Sequence, residues 1–397
     1  MENLLLLIHR IPYPPNKGDK IRSYNLLKHL AQHYKVHLAT FVDDDDDWQH
    51  VHTVEALCST SHFERLDPLK GKIRSLGALL GGRALSFDYY RNAAMQDWVD
   101  QAMAQHQIDR VLVFSSPMAQ YAEGYPKARR VVDFCDIDSD KWRQYAAQKS
   151  FPMNWVYRRE ADTLLAYERH VAATTDASLF VSEPEAALFR TLAPESGAKI
   201  GFFNNGVDTD YFSPERDYAR PYQDGERALV FTGAMDYWPN IDAVQFFAAE
   251  VFPQLLAADP SLRFYIVGAR PAPAVLALGA GPGVVVTGTV PDVRPYIHHA
   301  DICVAPLRIA RGIQNKVLEA MAMAKAVVVS PQALEGIDAV PGSELLLADG
   351  AAALAATLTG LLAQPNASLG AAARAKVERQ YSWPSNLARI EARLECS

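Results

Sequence analysis

Short, continuous apolar runs that need burial on both faces recur along this chain, and helical patterns separate them. Leu4–Ile8 is the first: five apolar residues in a row, the signature of a strand covered by helices on either side. Val36–Val42, Arg110–Phe114, Arg130–Phe134 and Ala177–Val181 repeat the signal. A helical pattern runs from about Lys20 to His33, and Ser182-Glu183-Pro184-Glu185 opens another with Ser182 as its N-cap. A loop rich in Asp, Pro and Gly, Asp208–Gly225, then interrupts the pattern. The alternation restarts with Ala228–Thr232, Arg263–Val267, Val284–Thr287, Asp301–Ala305, Ala326–Val329 and Leu345–Ala348. A final helical pattern follows Ser382-Trp383-Pro384. Alternation of this kind demands parallel sheets with helices on both faces. The 397 residues suffice for two such doubly wound α/β units. The predicted division is 1–215, 216–380 and a C-terminal helix over 381–397.

Composition narrows the function. Hydrophobic residues make up 49% and charged residues 21%, which excludes a disordered chain. The net charge is −7 and neither half is basic, so no nucleic-acid partner is expected. The four cysteines show no metal-ligand spacing, which fits a reducing compartment without disulfides or structural zinc. Leu4–Ile8 is too short for a signal-peptide core, and no run of ~18 apolar residues is read as a membrane span. The expectation is a cytoplasmic protein with at most peripheral contact at the inner face of the plasma membrane. Leu69–Leu85, where Lys70, Lys72, Arg74 and Arg83 interleave with leucines, is the candidate contact; an ordinary amphipathic helix is the alternative. Asp43–Asp47 reads as a solvated loop tip without metal-cage spacing.

In open parallel sheets, ligands bind outside the carboxyl ends of the strands. His9, Gly18, Asp133, Asp136, Gly233, Gly268 and Arg308 all follow strands. The sharpest segment is Ala305–Ala322. A strand ends at Pro306, and a loop containing Arg308, Arg311, Gly312 and Ile313 leads into a helix beginning near Gln314. Amides at a helix N-terminus attract anions, and Arg308, Arg311 and Lys316 add cations, so a diphosphate suits the Gly312–Lys316 stretch. Glu319, three residues after Lys316, has the chemistry to accept hydrogen bonds from ribose hydroxyls. The competing reading makes Lys316 and Glu319 a surface ion pair.

Asn204-Asn205-Gly206-Val207-Asp208 followed by Tyr211-Phe212 and Pro214 resembles the hinge motif of family-4 glycosyltransferases, and Arg311–Ala322 resembles that family's nucleotide-sugar motif. The segments His9–Pro15, Gly18–Arg22, Val132–Trp142 and Gly233–Asn240 resemble a narrower group, the sugar transferases of bacterial exopolysaccharide loci associated with PEP-CTERM and exosortase. The resemblance implies a GT-B fold: two facing Rossmann-like domains with a cleft between them. It implies an N-terminal acceptor domain, a C-terminal nucleotide-sugar domain and a C-terminal helix returning to the first. It also implies retaining, metal-independent hexosyl transfer from a nucleotide-diphosphate sugar to a saccharide or lipid-linked acceptor, with no further cofactor.

On this resemblance Gly18 allows close approach of the donor phosphate, with a plain turn glycine as the alternative, and Arg22 faces the same loop unless it is an ordinary surface arginine. Gly233 belongs to the donor side. His9 is a candidate partner for an acceptor hydroxyl or a structural histidine, and either Asp133 or Asp136 orients or deprotonates the acceptor. Three departures stand out. The first glutamate of the family's pair falls on Arg311, the basic pair after the first strand of the second domain is replaced by Ala234, Met235 and Asn240, and the usual acceptor-side histidine is missing. Two other functions share the architecture: a nucleotide-sugar epimerase and a non-catalytic nucleotide-sugar-binding protein. The hinge and helix motifs argue against the epimerase.

Overall fold

The computed structural model describes residues 1–15, 17–67, 71, 75, 82–147, 149–310 and 313–395. It comprises two compact units, Met1–Asn205 with Asn386–Ser397, and Gly206–Ser385.

The first unit holds a seven-stranded parallel sheet. Its strands are β1 (Asn3–Ile8), β2 (Lys35–Val42), β3 (Thr60–Arg65), β4 (Arg110–Phe114), β5 (Arg129–Cys135), β6 (Ala177–Phe180) and β7 (Ile200–Phe202), in the order β3-β2-β1-β4-β5-β6-β7. Leu4 to Ile8 are wholly buried, as the apolar run requires. The order reverses between β1 and β4, so the switch point, where such sheets bind ligands, opens beside His9. Two strands escape the apolar-run signal: β3, a half-exposed edge strand, and β7, only three residues long.

The acidic run keeps Asp44, Asp45 and Asp46 exposed, as a solvated tip requires, but Asp47 is buried and the run is tied down by ion pairs. Asp43 pairs with Arg10 at 2.9 Å, Asp47 with Lys20 at 2.5 Å, and Asp45 with Arg65, while Asp44 accepts from the Asp46 amide. Five adjacent carboxylates would repel one another; here three are drawn apart to separate cations. Of the basic segment 69–85, Lys70, Lys72 and Arg74 lie outside the described residues. Arg83 pairs with Asp88 at 3.0 Å.

The second unit repeats the plan with six parallel strands: β8 (Arg227–Thr232), β9 (Leu262–Val267), β10 (Val284–Gly288), β11 (Ile302–Ala305), β12 (Val327–Val329) and β13 (Leu346–Leu347). Their order is β10-β9-β8-β11-β12-β13, with the switch point between β8 and β11. By length and composition the 21-residue run Trp238–Ala258 is apolar enough to cross a membrane, which the sequence reading did not credit. Here Ala243, Val244, Phe247, Val251, Phe252 and Leu255 from this run pack into the core of the unit.

The Asn-Asn-Gly-Val-Asp motif has a packing role in this unit. A Cβ at Gly206 would lie 2.5 Å from the Trp383 backbone, so only glycine lets the two segments pass. Next to it, the Val207 amide donates to Tyr381 O at 2.7 Å. The Asp208 carboxylate accepts from the Asp210 and Tyr211 amides and holds the turn that follows.

Candidate functional site

In the second unit, chemistry gathers at the switch point. Gly233 directly follows β8 and its amide donates to Val267 O at 3.1 Å, and Gly268 directly follows β9. A Cβ at Gly268 would lie 1.7 Å from Gly233 O, so these two strand ends touch only because one of them carries no side chain. Above Gly233 lie Asn240 and Lys316: a Cβ there would meet Asn240 Nδ2 at 2.7 Å and Lys316 Cε at 3.3 Å. Asn240 is buried, donates through Nδ2 to Ala234 O at 2.9 Å, and accepts from Lys316 Nζ through Oδ1 at 2.7 Å.

Lys316 and Glu319 stand on the helix Asn315–Ala322, whose cap residue Gln314 makes no side-chain cap. Its apolar face, with Val317, Leu318, Ala320 and Met321 buried, fixes the helix against the sheet and so fixes its N-terminus. Burial lowers the Lys316 ammonium to about 8, with Glu319 opposing the shift, and the Nζ lies 5.0 Å from the Phe231 ring centroid. Burial raises the Glu319 carboxyl to about 7, with Lys316 opposing. The two charges form no ion pair, and the Glu319 carboxylate accepts no hydrogen bond from the described residues. A half-buried carboxylate with free acceptor capacity, beside a cation and a helix N-terminus, suits a ligand that carries both hydroxyls and negative charge.

Arg308 is turned elsewhere. Its Nε donates to Asp242 Oδ2 at 2.9 Å, its Nη2 donates to Asp242 Oδ1, and it stacks over Phe246 at 4.9 Å. Arg308 thus begins with its charge balanced, and among the described residues of this site Lys316 is the cation without an acidic ion-pair partner. Ile313 packs against the core. Arg311 and Gly312 lie outside the described residues. Asn240, which the sequence reading noted only as the absence of a basic residue, is the group that positions Lys316. Its signal was its place seven residues after Gly233.

In the first unit, the residues after β1 and β5 divide into two sets. Arg22 and Asp133 face inward and hold each other, with Nε–Oδ2 2.8 Å and Nη2–Oδ1 3.1 Å. Arg22 also donates to Phe203 O and Asn205 Oδ1 and lies 3.4 Å from the Phe203 ring centroid. Arg22 is 2% exposed and Asp133 0%, so Arg22 is no surface arginine, and neither side chain presents a free face. A bulge in β5 at Cys135, which has φ 64°, turns the following residues outward. Asp136 consequently emerges with its side chain 41% exposed and its Oδ2 2.8 Å from Lys141 Nζ. Against the desolvation of burial, Asp138 and Asp136 hold the Lys141 ammonium above the usual lysine range.

His9 stacks on Phe114, with ring centroids 5.7 Å apart and planes within 1°. Its Nε2 lies 3.5 Å from Asp19 Oδ2, while its Nδ1 is buried without a partner among the described residues. Contact with His9, aided by Arg10 and opposed by burial, holds the Asp19 carboxyl well below the usual range. Gly18 is exposed at the start of helix Gly18–His33, and a Cβ there would meet nothing within 4 Å. No packing in this unit demands glycine at that position.

Residues 226–364 match the family model described as glycosyl transferases group 1. Sucrose-phosphate synthase from Thermosynechococcus elongatus is similar at 18% identity over 99% of this chain and 98% of that one, with TM-score 0.62. WaaG, a glycosyltransferase involved in lipopolysaccharide biosynthesis, is similar at 15% over 99% and 100%, with TM-score 0.59. Anabaena HepE, solved in complex with UDP, is similar at 15% over 99% of each chain, with TM-score 0.60, and has also been solved with UDP-glucose. No curated protein matches the sequence. These likenesses establish the two parallel-sheet, Rossmann-like domains of the GT-B fold.

Proposed function

We propose, from the premise that the chain is a group 1 glycosyltransferase of the GT-B fold drawing on a nucleotide sugar, that the donor diphosphate lies against Gly233, Lys316 and the first amides of helix Asn315–Ala322. The ribose hydroxyls donate to Glu319. The observation that carries this reading is the half-buried Glu319 carboxylate without a hydrogen-bond donor among the described residues, three positions after Lys316. Two vicinal hydroxyls supply the donors it lacks, and the Lys316 ammonium meets the phosphate charge.

Transfer in this family retains anomeric configuration and needs no metal. The charge that develops on the leaving diphosphate is met by Lys316 and backbone amides, groups fixed before the reaction begins. On the acceptor side, Asp136 is the accessible carboxylate and orients or deprotonates the incoming hydroxyl. Arg22 and Asp133 position β5, from whose end Asp136 emerges. A uridine donor is supported by Anabaena HepE, which was solved with UDP and with UDP-glucose. The acceptor is a saccharide or lipid-linked chain of an exopolysaccharide, following the resemblance of the segments His9–Pro15, Gly18–Arg22, Val132–Trp142 and Gly233–Asn240. The protein works at the inner face of the plasma membrane.

The test is product analysis with UDP-hexoses and lipid-linked saccharide acceptors. UDP release that depends on acceptor, with a product of unchanged anomeric configuration, is expected. Epimerised donor formed without acceptor overturns the reading. So does activity lost to EDTA and restored by Mg²⁺ or Mn²⁺.

A further inference from the structure

On the first unit, away from β1 and β5, three metal-ligating side chains converge. His29 and His33 sit four residues apart on helix Gly18–His33, which puts both rings on one face with centroids 5.0 Å apart. Glu391, on the C-terminal helix Trp383–Glu395, reaches the same point. Its Oε1 lies 3.3 Å from His29 Nε2 and 3.6 Å from His33 Nδ1, and the three ligand atoms all fall within 4.8 Å of one another.

We propose that His29, His33 and Glu391 form a divalent transition-metal site, of zinc type, that fastens the C-terminal helix to the first helix of this unit. Two features favour a metal over a plain histidine–carboxylate pair. First, His29 Nε2 and Glu391 Oε1 are both buried, and neither makes a hydrogen bond despite their proximity. A shared proton would draw such atoms to about 2.7–2.9 Å and align them. These atoms instead stand 3.3 Å apart, both without a hydrogen-bond partner. Second, tetrahedral zinc with bonds of about 2.0–2.1 Å to nitrogen or oxygen sets its ligand atoms about 3.3–3.4 Å apart. The observed 3.3 and 3.6 Å separations already approach that spacing.

The ligand chemistry selects the metal. Two imidazoles and one carboxylate suit zinc, cobalt, nickel or copper and do not suit magnesium or calcium, which take oxygen ligands. His29 and Glu391 side chains are 12% and 20% exposed, while His33 is 49% exposed, so the ion enters from the His33 side and keeps water in its fourth position. Neighbouring groups hold the helix face in place: Tyr34, next to His33, donates its hydroxyl to Glu395 Oε1 at 3.1 Å, one turn beyond Glu391. The site lies on helices remote in sequence from Lys316 and Glu319, so its role is to join helices, separate from the sugar transfer.

The test uses the full chain without a histidine tag, stripped by chelator and titrated with Zn²⁺ against a competing chromophoric chelator. One tight equivalent is expected, with a rise in melting temperature that Mg²⁺ does not reproduce. His33→Ala, at an exposed position, should fold as the parent does. It should lose affinity by more than the about 10–100-fold that outer-shell partners cost. Glu391→Gln should lose the equivalent too, and His52→Ala, an exposed histidine elsewhere, should keep it. Co²⁺ should give visible bands of tetrahedral strength in the parent and not in His33→Ala. A parent that takes up no zinc overturns the proposal, as does a His33→Ala variant with the parent's stoichiometry and affinity.

Discussion

Lys316 and Asn240, 76 residues apart in sequence, are joined by a 2.7 Å hydrogen bond from the ammonium to the amide oxygen. The acceptor is neutral, so the lysine is positioned without losing its charge. With Lys316 lowered to about 8 and Glu319 raised to about 7, the ligand-ready state, ammonium plus carboxylate, predominates in a narrow pH window. Affinity for UDP should therefore rise as pH climbs through about 7 and fall as it passes about 8. Calorimetry at pH 6, 7.5 and 9 tests this. The nucleotide's own titration is common to parent and variants. Glu319→Gln should flatten the acid limb and Lys316→Met the alkaline one; identical acid limbs in parent and Glu319→Gln would remove Glu319 from the site.

Glu319→Ala should weaken UDP binding by ~1–3 kcal/mol, the scale of charge-assisted hydrogen bonds. Stability should move the other way. The folded carboxyl titrates above its unfolded value, so its contribution is full below about 4.5 and is lost as pH rises through about 7. At pH 8 the parent carries a desolvated carboxylate that the variant lacks. Thermal melting without ligand should then show Glu319→Ala equal to or above the parent, and a marked drop would give Glu319 a structural role.

Asp133 and Asp136, three residues apart, should respond oppositely. Asp133→Ala leaves the buried Arg22 charge without its carboxylate, a loss that costs ~3–5 kcal/mol when a buried pair is broken. Asp136→Asn changes a half-exposed group and should leave melting near the parent while lowering kcat by ~10²–10⁴-fold, the range of general-base catalysis. Measuring melting and turnover on both variants separates the roles. An Asp136→Asn enzyme with parental kcat would exclude it as the base.

Much of this was legible in the sequence. Apolar runs such as Leu4–Ile8 and Val327–Val329 marked strands covered on both faces, and their alternation with helices dictated parallel sheets. Strand β3, Thr-Ser-His-Phe-Glu-Arg, was missed because an edge strand need not be apolar. The helix Asn315–Ala322 was visible after the loop that follows Pro306 because its logic is local. Long-range partnerships were not: Arg22 meets Asp133 across 111 residues, and no spacing rule assigns a surface-looking arginine to a buried carboxylate. The ion pairs of Asp43, Asp45 and Asp47 were hidden for the same reason, since Arg10, Lys20 and Arg65 come from three other segments.

Glu168, fully buried on helix Met153–Thr174, accepts from the Ser139 amide at 3.2 Å and its hydroxyl at 2.5 Å, at the start of helix Asp138–Ala147. Burial raises its carboxyl to about 8, with the Ser139 hydrogen bond opposing. The folded value lies above the unfolded one, so stability from this group is present at low pH and is lost as pH rises through about 8. Glu168→Gln keeps an acceptor for Ser139 and cannot ionise. Its melting temperature should match the parent at pH 6 and exceed it at pH 9. A parental decline between those pH values in the variant would assign the loss to other groups.

The segment near residues 145–158 presents Tyr145, Phe151, Met153 and Trp155 with 51%, 80%, 42% and 56% exposure, and Lys149 and Arg158 are also exposed. Large apolar side chains clustered among cations match what a peripheral protein uses at an anionic bilayer. Each basic residue near such a surface contributes about 1 kcal/mol, and aromatic rings at the headgroup level add their own burial. Arg143 is partly engaged, 3.7 Å from Asp162, and the chain carries net −7, so the attraction is local and modest. Binding should accordingly be reversible and weakened by salt. In liposome flotation the protein should rise with anionic vesicles at low salt and be released at high salt. Phe151→Asp with Trp155→Asp should abolish flotation, because two carboxylates replace the two most exposed rings of this segment. The same variant should keep its activity on a water-soluble acceptor, since neither ring takes part in the donor site. Flotation equal to the parent's would place the membrane contact elsewhere, with 69–85 as the segment to test next.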